Sequence, residues 1–400
     1  MWTEMLRGWI LPLVAAALLR ATPIKSAPVT PWRQDRFAIG FWVDPIVPPA
    51  RFDAEYARIA AANFTVLLGG YGATKRPEVE MQIAAANRAG LAAIPSICGG
   101  ACANLSGAWG FQVTDEPQVS TFASVAKLVA QAKARGNMAF VNLFPNYAFG
   151  PRSPFGPSWN AYVTQYVKEV KPNMLSLDNY PHFDTAGGTG CAAPPCPGGP
   201  QTKANYISNL LALREAAFSV EPPLPFWNFF KAMPYGAGTS PSAYDVSEAE
   251  MRWQAMTSLG IGAKGVLYFC YWTPNGDAQR FGQAIMTPAP GSKPDLANQV
   301  PGPKYPMVRR INSKLRTLGG WLLDRRSSGV LLASGGRANT TTLSGCGACA
   351  GIAAINGSDV ARHRHSIQPG HYNALWRPLH PTSEHIVLNI NMRNMCEAVT

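Results

Sequence analysis

Short runs rich in Val, Ile, Phe and Leu recur along this chain at 37–43, 64–70, 91–97, 110–114, 139–144, 174–178, 225–231 and 265–272. Between most of them lie Ala-rich stretches with helical spacing of their apolar residues, at 53–62, 78–90, 120–136, 158–170, 202–218, 248–260 and 306–324. That alternation leaves few folds open, because strands without a polar face must be covered on both sides, as parallel strands joined by crossover helices are. Ser120 and Ser247 suit the N-caps of their helices, and Gly90, Gly136 and Gly260 suit the closures. Eight such units in about 290 residues predict an α/β protein of the (β/α)8 TIM-barrel type. An open doubly wound sheet fits less well, since no G-x-G-x-x-G follows the first strand. Only the step from third to fourth strand, 98–108, is too short for a full crossover helix.

After residue 325 the texture becomes a Gly- and Thr-rich alternation with candidate strands at 329–333, 351–355, 371–376 and 385–391. This predicts a barrel over 28–325 followed by a small β-sandwich-like accessory domain over 326–400. A chain that is 47% hydrophobic and 14% charged can bury enough apolar surface to order itself, which excludes disorder for most of its length. The net charge of +12 is spread along the chain, and its densest cluster is Arg309, Arg310, Lys314 and Arg316. A diffuse positive field serves solubility and argues against a nucleic-acid partner.

Residues 1–27 carry Arg7, an apolar run and then small residues around Ser26 and Ala27, the layout of a secretory signal peptide. The run is short for a bilayer span, so the expectation is export without lasting membrane insertion; an uncleaved N-terminal anchor is the alternative. In an oxidising compartment Cys98 with Cys102, and Cys191 with Cys196, suit local disulfides, and Cys396 suits a bridge to Cys346 or Cys349. Cys270 lies inside an apolar run and reads as a buried small hydrophobe. Asn63, Asn104, Asn339 and Asn356 head glycosylation sequons.

In a TIM barrel the chemistry stands at the carboxyl ends of the strands. The fourth strand ends in Asp115, Glu116 and Pro117, and the sixth in Asp178, Asn179 and Tyr180. Two carboxyls in one mouth suit glycoside hydrolysis, in which one donates a proton to the leaving oxygen and the other attacks carbon or activates water. Glu116 is the acid candidate and Asp178 its partner; from neighbouring-strand spacing the two should lie roughly 5 to 10 Å apart. Asp115, Asn142, Tyr180 and Asn228 are candidates to hold sugar hydroxyls or orient the acids, and Trp227, Tyr271 and Trp272 to stack on sugar rings. The reading calls for no cofactor and no metal. His182 stands alone near the mouth, and the His363 and His365 pair is flanked by Arg362 and Arg364, whose charges oppose a cation.

The order D-E-P (115–117), N-L-F-P-N-Y (142–147), L-D-N-Y-P (177–181) and Y-F-C-Y-W (268–272) resembles the secreted TIM-barrel glycoside hydrolases of the clan that includes cellulases and β-galactosidases. The resemblance implies an acid/base Glu at the end of strand four, which Glu116 matches, and a nucleophilic Glu at the end of strand seven. Here Asp115 stands where the clan usually has Asn, and 225–231 carries no Glu. The second acid has therefore moved to Asp178, or the chain is a non-catalytic carbohydrate-binding barrel. An esterase on the same barrel would need a nucleophile, and no G-x-S-x-G elbow is present. A carbohydrate is the expected partner in either case, and oligomeric state stays open.

Overall fold

The computed structural model describes residues 29–181, 202–234, 244–278, 282–291, 295–334, 337–342, 371–378 and 386–391. Eight strands form the barrel: β1 (Ala38–Phe41), β2 (Val66–Leu68), β3 (Ala92–Ile94), β4 (Gly110–Asp115), β5 (Met138–Leu143), β6 (Leu175–Asp178), β7 (Phe226–Lys231) and β8 (Gly265–Phe269). Six of them pair in the order β1-β8-β7-β6-β5-β4, all parallel, and β2 pairs with β3 in the same sense. Single hydrogen bonds join the two ladders into a ring. On one side Thr65 N donates to Ile39 O at 3.0 Å; on the other Trp109 N donates to Ala93 O and Gln112 N to Pro95 O, each at 2.8 Å. The expected TIM barrel is what forms.

Around it stand α1 (Phe52–Ala61), α2 (Arg76–Arg88), α3 (Phe122–Lys133), α4 (Trp159–Val170), α5 (Lys203–Phe218), α6 (Glu248–Ile261) and α7 (Lys304–Leu323). Ser247 caps α6 in a full capping box with Glu250, as its position suggests. Two expected helix ends move. Thr121, not Ser120, occupies the N-cap of α3 and makes no side-chain cap, because a 3-10 turn over Val119–Thr121 precedes the helix. Gly260 stays inside α6, and Gly262, with φ 118°, closes it. Where no crossover helix fits between β3 and β4, the chain turns through Cys98–Gly100 and is stapled by the Cys98–Cys102 disulfide.

The floor of the barrel is aromatic. Trp227 stacks on Trp109 with centroids 5.7 Å apart, lies beside Phe140, and donates from Nε1 to Gln34 Oε1, ahead of β1, at 3.0 Å. A Cβ on Gly265 would meet the Trp227 ring at 2.8 Å, so the residue opposite this indole has to be glycine. After β8 come β9 (Met286–Pro288) and β10 (Gln299–Pro301), an antiparallel pair, and then β11 (Arg325–Ser334), β12 (Arg337–Thr342), β13 (His371–Pro378) and β14 (Ile386–Asn391). These last four make one antiparallel sheet in the order β12-β11-β13-β14, lying against α6, with β11 also against α7. The segment 351–355, the Cys191–Cys196 pair, Cys346, Cys349, Cys396, His182, His363, His365 and residues 1–27 lie outside the described residues. Among those described, no helix is long and apolar enough to cross a membrane.

Candidate active site

Period-two alternation would put Asp115 and Glu116 on opposite faces of β4. Both reach the mouth because the backbone departs from regularity twice in succession. The ladder to β5 slips between Gln112 and Thr114, so that Gln112 pairs with Phe140 but Asp115 pairs with Asn142. That bulge turns Asp115 inward. Glu116 then adopts φ 45°, a left-handed conformation that costs a non-glycine residue about 1 kcal/mol, and its backbone N–H bonds Asn142 O at 2.9 Å. The second irregularity returns its carboxyl to the same side. Tyr162, from α4, fixes the turn by donating to Pro117 O at 2.8 Å.

Asn142 is the hub. Its Nδ2 donates to Asp115 Oδ1 at 3.1 Å and to Asp178 Oδ1 at 3.0 Å, while Ser176 Oγ donates to its Oδ1 at 3.2 Å. With the amide oxygen occupied by a hydroxyl, both N–H bonds are committed to the acids. Glu116 and Asp178 stand close enough for each carboxyl to act on the other's ionisation. Two carboxyls so placed resist being charged together.

Burial, and then the charge of Asp115, push Glu116 up to about 7. Asp178, buried, is held well above the usual carboxylate range by burial first and by Glu116 and Asp115 next. Asp115 presents an edge to the opening; burial of its carboxyl raises it, and the bond from Asn142 partly offsets this. Across the mouth Tyr180, 8% exposed, lies 4.9 Å from the Phe269 ring at the end of β8. Lys231, the last residue of β7, shares the inward parity of Trp227 and Phe229 and is buried, with its ammonium 5.9 Å from the Tyr244 ring centre. A cationic side chain therefore stands on the strand where the clan places its nucleophile.

Asp115, Glu116, Asn142 and Asp178 come together at the ends of β4 to β6, and Tyr180 follows two residues beyond Asp178, against Phe269. The other four candidates do not. Trp227 forms the barrel floor, as described above. Asn228 has outward parity and donates to Tyr206 Oη at 2.7 Å and Ser258 Oγ at 3.1 Å, tying β7 to α5 and α6. The β8 ladder ends at Phe269, three residues before the predicted end of that strand, and the chain beyond it bonds to the segment after β1, Tyr271 N to Trp42 O and Trp272 N to Val43 O. Tyr271 is consequently sealed against Phe41 and Phe64, and Trp272 beneath the loop whose Leu296 O accepts its Nε1 proton at 2.7 Å. None of the four has a face for a ligand.

Sequence reasoning also missed mouth residues. Trp42 sits one residue past β1 and packs edge-on against Tyr71, centroids 5.6 Å apart. Tyr71 lies in G-G-Y-G, just after β2; an aromatic inside a glycine-rich strand-end loop was the available signal. Among the described residues no group of three or more His, Cys, Asp or Glu could hold a metal ion.

No protein-family model matches the chain, and no curated protein matches it by sequence. Solved structures with similar folds include GH5_18 from Streptomyces cattleya in complex with GlcNAc, 12% identical over 73% of this chain and 82% of that one, TM-score 0.47. A polyextremophilic beta-galactosidase from the Antarctic haloarchaeon Halorubrum lacusprofundi is 10% identical, TM-score 0.45; the match covers 69% of this chain and 58% of that one. A truncated 3-deoxy-D-arabino-heptulosonate 7-phosphate synthase from Thermotoga maritima is 11% identical over 72% of this chain and 88% of that one, TM-score 0.38. These likenesses concern the barrel; chemistry belongs to the residues of the mouth.

Proposed function

We propose that this chain is a glycoside hydrolase, with Glu116 as the general acid. The gathering of Asp115, Glu116 and Asp178 about Asn142 at the carboxyl ends of β4 to β6 carries the reading. A group raised to about 7 is still protonated in mildly acidic solution, ready to donate to a leaving oxygen, and afterwards takes its proton back from water. Asp178, enclosed and raised, is a poor nucleophile as it stands; it acts through Glu116, whose loss of the proton it eases. Asp115 opens to the mouth and is the carboxylate available to face positive charge developing on the sugar. The reading extends to residues 1–27 as an export signal and to secretion of the mature chain.

The test is a screen of chromogenic glycosides and polysaccharides against wild type, Glu116→Gln, Asp115→Asn and Asp178→Asn, with folding checked by circular dichroism. Hydrolysis should be lost in Glu116→Gln and Asp115→Asn. In Asp178→Asn the alkaline limb of the rate profile should move to higher pH, because Glu116 loses the protonated partner that eases its ionisation. A folded Glu116→Gln variant that hydrolyses at the wild-type rate would sink the assignment. Binding without hydrolysis in wild type would instead favour the non-catalytic carbohydrate-binding barrel.

A further inference from the structure

We propose that Tyr71 is the platform on which a pyranose ring of the substrate rests, backed by Trp42 and held upright by Asp44. This assignment rests on the reading of the mouth as a glycan site. Among the described residues only Tyr71 and Trp321 are exposed large aromatics, at 43% and 63%, and Trp321 lies near the end of α7, away from the carboxyl ends of the strands. Tyr71 follows β2 at those ends.

Its placement is built. Asp44, just past β1, is fully buried, and an enclosed carboxylate is costly unless hydrogen bonds replace the lost water. The bonds it receives from other residues come from Tyr71 N at 2.8 Å, from Gly72 N at 3.1 Å to each oxygen, and from Gln82 Nε2 at 2.8 Å. The main chain under Tyr71 is therefore pinned. A Cβ on Gly72 would meet Pro45 O at 2.2 Å and Asp44 Oδ2 at 2.7 Å, so the loop seats this deeply only with glycine there. At the other end of the side chain the Trp42 ring stands edge-on against the phenol, centroids 5.6 Å apart, and Asp115 is close enough for its charge to act on the hydroxyl. Burial of the hydroxyl, with Asp115 second, pushes it up to about 12, so it stays a neutral donor. The residue keeps 43% of its surface open.

An aromatic ring fixed at both ends and open along its side binds an apolar sugar face without first having to be ordered. Standing beside Asp115, it places that ring next to the acid cluster.

The experiment measures retardation in native gels containing hydroxyethylcellulose, galactomannan, xyloglucan, xylan or laminarin, and reducing-end release from the same five polymers. The proteins are wild type, Tyr71→Ala and Tyr71→Phe, with thermal unfolding as the control for folding. Tyr71→Ala should weaken retardation about tenfold and raise KM by a similar factor, with a smaller fall in kcat, whereas Tyr71→Phe keeps most of the binding. Unchanged retardation and KM in Tyr71→Ala would overturn the platform and leave the hydrolase reading intact. Tyr71-dependent retardation without reducing-end release in wild type would keep the platform and overturn hydrolysis. If none of the five polymers is retarding or cleaved, both fall.

Discussion

The barrel has an acidic sector, β4 to β6, and an aromatic sector, β7 and β8, and the sequence presented both as parts of one sugar site. Only the acidic sector gathers at the mouth. At its strand ends, Asp115, Asn142 and Asp178 turn inward and satisfy one another. In the other sector Trp227 goes to the floor and Tyr271 and Trp272 to the outside of the ring, leaving Lys231 and Phe269 at the rim. A buried carboxyl has few reasons to be where it is, whereas an indole packs as well in a core as against a ligand.

The contrast can be broken by substitution. Glu116→Gln should lower kcat/KM by about 100- to 10,000-fold with the fold retained, read by steady-state kinetics on whichever glycan the screen returns. Trp227→Ala should do the reverse, costing about 3 to 5 kcal/mol in urea unfolding, since it empties the floor beneath Gly265. A Trp227→Ala variant of normal stability but impaired glycan binding would return Trp227 to the site.

Acidity sharpens the same comparison, because the acid cluster titrates and the floor does not. Glu116 and Asp44 are raised from 4.5 to about 7 and from 3.8 to about 6, and Asp178 is raised too. The folded chain therefore binds more protons than the unfolded chain between those limits, so their contribution is complete below about pH 4 and is lost as pH rises through about 6 to 7. Unfolding free energy from these groups should fall by a few kcal/mol over that window, and by less in Glu116→Gln. A fall equally steep in both proteins would show that Glu116 is not raised. The smallest effect is expected at Ser176→Ala, about 1 kcal/mol in stability, with a lower kcat as Asn142 loses the bond that orients it. Unchanged kcat there would remove Ser176 from the positioning chain.

How much was legible follows the same division. Strand and helix positions could be read because apolar runs and helical spacing are local, and the Cys98–Cys102 staple because five residues leave the two sulfurs little else to reach. The acids could be read because polar residues ending apolar strands are conspicuous. Facing was not legible wherever regular alternation failed. Asn228 was assigned to the mouth although Trp227 and Phe229 own the inward parity of β7. Tyr71 was overlooked because nothing in G-G-Y-G shows that Asp44, 27 residues earlier, holds its main chain.

The two departures in β4, a bulge and a left-handed residue, tie the chemistry to a count as much as to a composition. Delete one residue between Gln112 and Asp115 and the same three letters, D-E-P, would present a different acid to the cavity. A relative carrying that tripeptide on an unbulged strand would share the spelling without sharing the reaction, so the number of residues leading into it is the feature by which such chains should be sorted.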